Sequence, residues 1–261
     1  MSDDQQPAED DLNPPFPPDP AYDTVEVRLF ESSADLVDSA AADFIDVIGA
    51  AQRERGTARV VLTGGSNGIA ILRTLRESAA DLDWSNIEFY WGDDRFVPDA
   101  DADRNSGQAR EALLDHVAVD PAKVYVMAPS DGEFGDDIDT AAAAYEAIID
   151  RVEAFDLHLL GMGGEGHINS LFPHTAATAE STKTVVAVTD SPKPPPRRIT
   201  LTFPAISRAR QVWFLVAGAD KAEAVAAGVG GADRSEWPCA GAVGTEATVW
   251  FVDEAAAPEL M

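Results

Sequence analysis

RVVLTGGSNGIAILRTLRE, residues 59–77, decides the architecture. Arg59–Leu62 is a short apolar strand and Thr63-Gly64-Gly65-Ser66-Asn67-Gly68 a polar glycine loop; a helix is expected from about Gly68 to Glu77. Upstream, Val25–Phe30 reads as extended and Ala34–Arg53 as an amphipathic helix, which makes a βαβα rhythm. Downstream it continues with a strand at Ile87–Trp91, a helix at Gly107–His116, an extended Val124–Val126, a helix at Asp137–Glu153 and a buried strand at Phe155–Gly161. Thr184–Val188, Arg198–Leu201 and Gln211–Ala217 read as strands, followed by a helix near Lys221–Ala227 and a last strand at Thr248–Val252. Short apolar strands alternating with helices predict a mostly parallel sheet with helices on both faces, and such sheets bind ligands at the carboxyl ends of their strands.

Composition narrows the function classes. The 261 residues are 45% apolar, enough for a sizeable core. Residues 1–23 hold six prolines and seven acidic residues without Lys or Arg, and predict a disordered extension ahead of a single α/β domain over 24–261. No apolar run approaches the roughly 18 residues of a membrane helix, and the acidic N-terminus is unlike a signal peptide, so a cytoplasmic location is expected. Cys239 is the only cysteine, which excludes an intramolecular disulfide or a Cys-based zinc cluster. The net charge of −27 repels nucleic acid and anionic membranes. It also suits work in high salt, where ions screen self-repulsion. In so acidic a chain the few basic residues at strand ends are candidate partners for an anionic ligand.

Three strand-end loops carry the candidate chemistry. In the first, free backbone N–H groups, close-approaching glycines and the Ser66 hydroxyl suit a phosphate, although the Lys of a Walker A loop is missing. Read alone, the same letters describe a tight turn with Ser66 or Asn67 as N-cap. In the second, Trp91-Gly92-Asp93-Asp94-Arg95-Phe96-Val97-Pro98, Arg95 is placed to clamp a phosphate, or to close the loop by pairing with an Asp. Just beyond it, Asn105 or Ser106 reads as a helix cap. The third, Gly161-Met162-Gly163-Gly164-Glu165-Gly166-His167-Ile168-Asn169-Ser170-Leu171-Phe172-Pro173, is the most specific stretch of the chain. A carboxylate two residues before an imidazole on a glycine loop suits a general base. Gly161, Gly163 and Gly166 also spell a dinucleotide fingerprint, but after a late strand and without a clear acidic residue downstream. His116, His158 and His174 read as exposed loop histidines. No second His stands at ligand spacing, so no metal is expected. Pro194-Pro195-Pro196-Arg197-Arg198 rigidifies a loop and delivers two arginines to a strand, and Lys221 follows another strand end.

Taken in order, TGGS at 63–66, WGDDRFVP at 91–98, FDLHLLGMGGEGHINSLFP at 155–173, RITLTFPAI at 198–206 and VWFLVAGADKAEAV at 212–225 resemble the 6-phosphogluconolactonase family. The resemblance runs from about residue 25 to the C-terminus. It implies a Rossmann-like fold shared with glucosamine-6-phosphate deaminases, no cofactor, and hydrolysis of 6-phospho-D-glucono-1,5-lactone to 6-phospho-D-gluconate, the second step of the oxidative pentose phosphate pathway. It places the family's histidine on His167, its carboxylate on Glu165 and its loop arginine on Arg95. Phosphate would be held by Gly64, Gly65, Ser66, Arg95, Arg198 and Lys221, with Asp94 beside them, and the backbone of Gly163, Gly164 and Gly166 would receive an oxyanion. The chain departs from the family pattern at Asn67-Gly68, where Thr-Pro is usual, at Gly164, where Pro is usual, and at Glu165, where Asp is common. Losing two prolines should loosen these loops. The expected partner is a small phosphorylated sugar lactone, bound by a monomer or homodimer, with neither nucleic acid nor membrane. Two rivals stand beside this reading. One is a sugar-phosphate deaminase or isomerase using Asp94 to move a proton; the other is a non-catalytic sugar-phosphate sensor, for which no DNA-binding helix-turn-helix is visible.

Overall fold

A computed structural model describes residues 25–79 and 81–258; the expected disordered extension lies outside them. Six strands form one parallel sheet: β1 (Val25–Phe30), β2 (Ala58–Leu62), β3 (Ile87–Trp91), β5 (Phe155–Leu160), β8 (Ala209–Val216) and β9 (Ala247–Asp253), in the order β1-β9-β8-β5-β2-β3. A smaller antiparallel sheet sets β4 (Asp93–Arg95) and β6 (Val185–Val188) on either side of β7 (Arg198–Leu201). Burial follows position. All six residues of the interior strand β5 are buried, whereas the edge strand β1 is half-buried and exposed by turns.

The helices begin and end where local chemistry dictates. Helix α1 (Ser33–Arg55) starts after Ser32, whose side chain accepts from the Asp35 N–H. It ends at Gly56, which turns left-handed at φ 76°. Its buried stripe, from Leu36 and Val37 through Phe44 and Ile48 to Ala51, repeats with helical spacing against the sheet. Helix α2 (Gly65–Ser78) starts three residues earlier than expected, so the glycine loop supplies the first turn of the helix. The remaining helices are α3 (Asn105–Ala109), continued by a π-turn over Arg110–Leu114, then α4 (Ile138–Ile149), α5 (Ala176–Ala179), α6 (Phe203–Ile206) and α7 (Ala222–Val229). The expected strand at Val124–Val126 is reduced to a single parallel bridge between Val124 and Phe89.

Parallel strands are joined by right-handed crossovers, and for this strand order that rule puts α1 and α2 on one face of the large sheet and α4 and α7 on the other. From β2 the chain steps outward to β3, then returns to the opposite side of β2 as β5 and continues away through β8 and β9. The strand order therefore reverses between β2 and β5, where two crossovers diverge and leave a crevice at the carboxyl ends.

Candidate active site

The crevice is lined by the two loops leaving β2 and β5. They are tied together by a hydrogen bond from the Gly161 N–H to the Thr63 hydroxyl, 3.2 Å. Gly64 is the N-cap of α2 and supplies no side chain to it, so neither Ser66 nor Asn67 caps the helix as the turn reading has it. Gly65 takes φ 82°, a conformation that a side chain would strain. The first-turn N–H groups of a 14-residue helix thus open into a cavity of about 160 Å³, lined by Gly64, Gly65, Ser66, Gly161, Met162 and Lys221 among others. Lys221 is paired with Asp220 at 2.9 Å. In place of the missing Thr-Pro, Asn67 fastens the loop by accepting from the Ser33 hydroxyl at 2.8 Å and donating to the Leu215 carbonyl at 3.2 Å.

His167 and Glu165 meet, with Nδ1 and Oε1 3.1 Å apart. The imidazole stacks on Phe172 at 4.4 Å between centroids. Nδ1 is thereby committed to the carboxylate, leaving Nε2 as the basic nitrogen. Burial, then the neighbouring Lys193 charge, push the His167 pKa down to about 4, against the upward pull of Glu165 and Asp93. Burial works to raise the Glu165 pKa, but the hydrogen bond from Lys193 and the adjacent charges prevail and hold it at about 2. At neutral pH the dyad is a neutral imidazole beside a carboxylate.

Several expected site residues have other duties. Asp94 is only 1% exposed and accepts from the N–H groups of Arg95, Asn105 and Ser106. It caps α3 from a distance and pairs with the fully buried Arg104 at 3.5 Å, and the caps expected of Asn105 or Ser106 come from it instead. Arg198 is turned inward. Its Nε donates to the Pro195 carbonyl at 3.0 Å and its Nη2 to the carbonyls of Lys193 at 3.0 Å and Pro194 at 3.3 Å. Its Nη1 lies 3.6 Å from Asp93, and with 4% exposure its donors are turned to the chain's own carbonyls and carboxylate. Two of the three oxyanion candidates are already engaged, the Gly163 N–H with the His167 carbonyl and the Gly166 N–H with the Gly163 carbonyl, each at 3.0 Å. Gly164 alone of the three makes no such bond. Arg95 lies close to the glycine loop: its Nη1 donates to Asn105 Oδ1, its buried Nε has no partner among the described residues, and Asn105 packs directly on Gly64. His158, expected on a loop, is fully buried because β5 is covered on both faces.

Three residues were missed. Asp93 accepts from Ser170 Oγ at 2.6 Å and Asn105 Nδ2 at 3.1 Å, joining the third loop to α3. Asn105 bridges Arg95 and Asp93, and Lys193 reaches Glu165. The one available signal for Lys193 was its rarity, as one of four lysines in the chain.

The 6-phosphogluconolactonase of Mycobacterium tuberculosis is 55% identical over 208 residues, covering 77% of this chain and 84% of that protein. The Streptomyces coelicolor 6-phosphogluconolactonase is 46% identical over 91% of this chain and 95% of its own. The crystal structure of the Thermotoga maritima 6-phosphogluconolactonase superposes with a TM-score of 0.77 at 27% identity, over 88% of this chain and 99% of that one. A monomeric glucosamine-6-phosphate deaminase shares the fold, with a TM-score of 0.74 at 21% identity over 88% of this chain and 98% of its own. The model of glucosamine-6-phosphate isomerases/6-phosphogluconolactonase matches residues 31–250, and on that match the chain belongs to this family.

Proposed function

We propose that this chain hydrolyses 6-phospho-D-glucono-1,5-lactone to 6-phospho-D-gluconate, with His167 as the general base. The observation that carries the mechanism is the His167–Glu165 contact of 3.1 Å, in which the carboxylate accepts from Nδ1–H and leaves Nε2 as the unprotonated nitrogen. The phosphate sits at the open first turn of α2 with Lys221, and Arg95 flanks it across Asn105. Binding energy from this remote group positions the C1 carbonyl beside His167. Water gives a proton to Nε2 as its oxygen bonds to C1. When the bond from C1 to the ring oxygen breaks, the same proton passes to that oxygen and leaves it as a hydroxyl. Gly164 N–H is the remaining backbone candidate for the developing oxyanion.

The relatives named as 6-phosphogluconolactonases favour this reading over a deaminase or isomerase. So does Asp94, which the isomerase reading requires at the substrate and which is instead buried in a helix cap. The test is the rate of 6-phosphogluconate formation from freshly generated lactone against the spontaneous background. His167→Ala is expected to lose roughly 10²–10⁴-fold in kcat. Near-normal turnover in that variant refutes the base, and a folded wild type without acceleration refutes the activity.

A further inference from the structure

Between Val188 and Arg198 the chain forms a strap closed on itself, with the Ser191 N–H on the Pro196 carbonyl at 3.0 Å and the Ser191 hydroxyl on the Lys193 carbonyl at 3.0 Å. Arg198 fastens it from beneath through the carbonyls of residues 193, 194 and 195. At its tip the Lys193 ammonium stands 2.8 Å from Oε1 and 2.9 Å from Oε2 of Glu165, and 3.5 Å from Nδ1 of His167. We propose that Lys193 is a positioning residue for the dyad, fixing Glu165 as the acceptor for Nδ1–H and holding His167 unprotonated, with Arg198 holding the strap that presents it. This inference rests on the reading of His167 as the base.

The contacts favour one arrangement of protons. Lys193 could donate to an unprotonated Nδ1, but the carboxylate oxygen Oε1 lies closer to that nitrogen, 3.1 Å against 3.5 Å for the ammonium, so Nδ1 carries the proton and shares Glu165 with Lys193 as acceptor. A protonated imidazole would bring a second cation to within 3.5 Å of the first over a single carboxylate. Repulsion at that distance favours loss of the imidazole proton. The charged groups around His167 come from several elements. Glu165 on its own loop and Asp93 on β4 favour the imidazolium, while Lys193 on the strap opposes it. Arg198 on β7 lies over the Phe172 ring on which His167 stacks, and the Asp220–Lys221 pair flanks Gly164. Glu165 and Asp93 without Lys193 would move the base toward its protonated, inactive form. The same cation makes the imidazolium formed during turnover a stronger acid, which helps return the proton to the departing ring oxygen.

The test uses the full chain with labelled histidine, following the His167 resonance, assigned by its loss in His167→Gln, through a pH titration alongside the kcat/KM profile. Lys193→Met is expected to raise the His167 midpoint by about one pH unit or more and to carry the acid limb of kcat/KM up with it. Lys193→Arg is expected to restore both. An unchanged midpoint in Lys193→Met overturns the proposal, whatever happens to the rate. Lys193 is 46% exposed and its replacement leaves the core untouched, so both variants should fold. A wild type that does not accelerate lactone hydrolysis would defeat the general-base reading while the titration still reports whether Lys193 controls His167; a titration without the shift would defeat Lys193 and leave the base standing.

Discussion

Gly163 has no room for a side chain, because a Cβ there would run into Nδ1 of His167 and Oε2 of Glu165. Gly163→Ala is expected to keep the fold and push the dyad apart, lowering kcat/KM by about 10²-fold, the loss typical of a displacement near 1 Å. Kinetics paired with a thermal melt check it; wild-type turnover would mean the dyad tolerates the shift. At this scale the sequence disclosed what lies close along the chain. Glu165 and His167 are two residues apart on a glycine loop, and their contact follows from that spacing. Lys193 is 26 residues from His167 and joins it only through the fold. Arg198 was legible as a charge, but not the direction in which it points, since an arginine at a strand start can face solvent, a ligand or its own loop.

Helix α3 depends on a carboxylate from a different element. Asp94→Ala would remove the acceptor of three N–H groups and leave Arg104, with none of its side chain exposed, lacking its partner at 3.5 Å. Breaking a buried pair from one side costs about 3–5 kcal/mol. Urea unfolding is expected to show a loss of that size, with the activity of the remaining folded protein far less affected than in His167→Ala. A small stability change would remove Asp94 from its capping role, and a selective loss of turnover would return it to the substrate. Most strands and helices were legible because apolar runs and amphipathic stretches alternate over lengths that periodicity resolves. β4 was not, since three residues reading Asp-Asp-Arg carry no apolar alternation and pair only because β7 lies alongside. Likewise the start of α2 at Gly65 was hidden because glycines there signal a turn, although the chain is already helical.

Over the whole molecule, one buried and one half-buried imidazole connect stability to pH. Burial pushes His158 down to about 3 against the upward pull of the nearby Asn169 side chain, whose approach to the ring falls short of hydrogen-bond geometry. His167 is lowered to about 4. Both are depressed below the ordinary histidine value of 6.5, so the unfolded chain takes up their protons first. Their contribution to stability is complete above pH 6.5 and drains as the pH falls toward the folded values, at about 1.4 kcal/mol per pH unit for each. Asp94, raised by burial, acts in the opposite sense at the acid end. His158→Leu is therefore expected to flatten the dependence between pH 6.5 and 5 by about 1.4 kcal/mol per unit, measured by denaturant unfolding. An unaltered slope would show that His158 is not held neutral by the core. The tie between the loops of β2 and β5 has a consequence of another kind. Neighbouring parallel strands stand about 4.8 Å apart, and the Gly161–Thr63 hydrogen bond pins the loops where they leave the sheet. On the proposed reading the phosphate cradle and the basic nitrogen are thus jaws of a fixed gauge, and a sugar phosphate would be measured by whether its length from phosphate to carbonyl spans that opening.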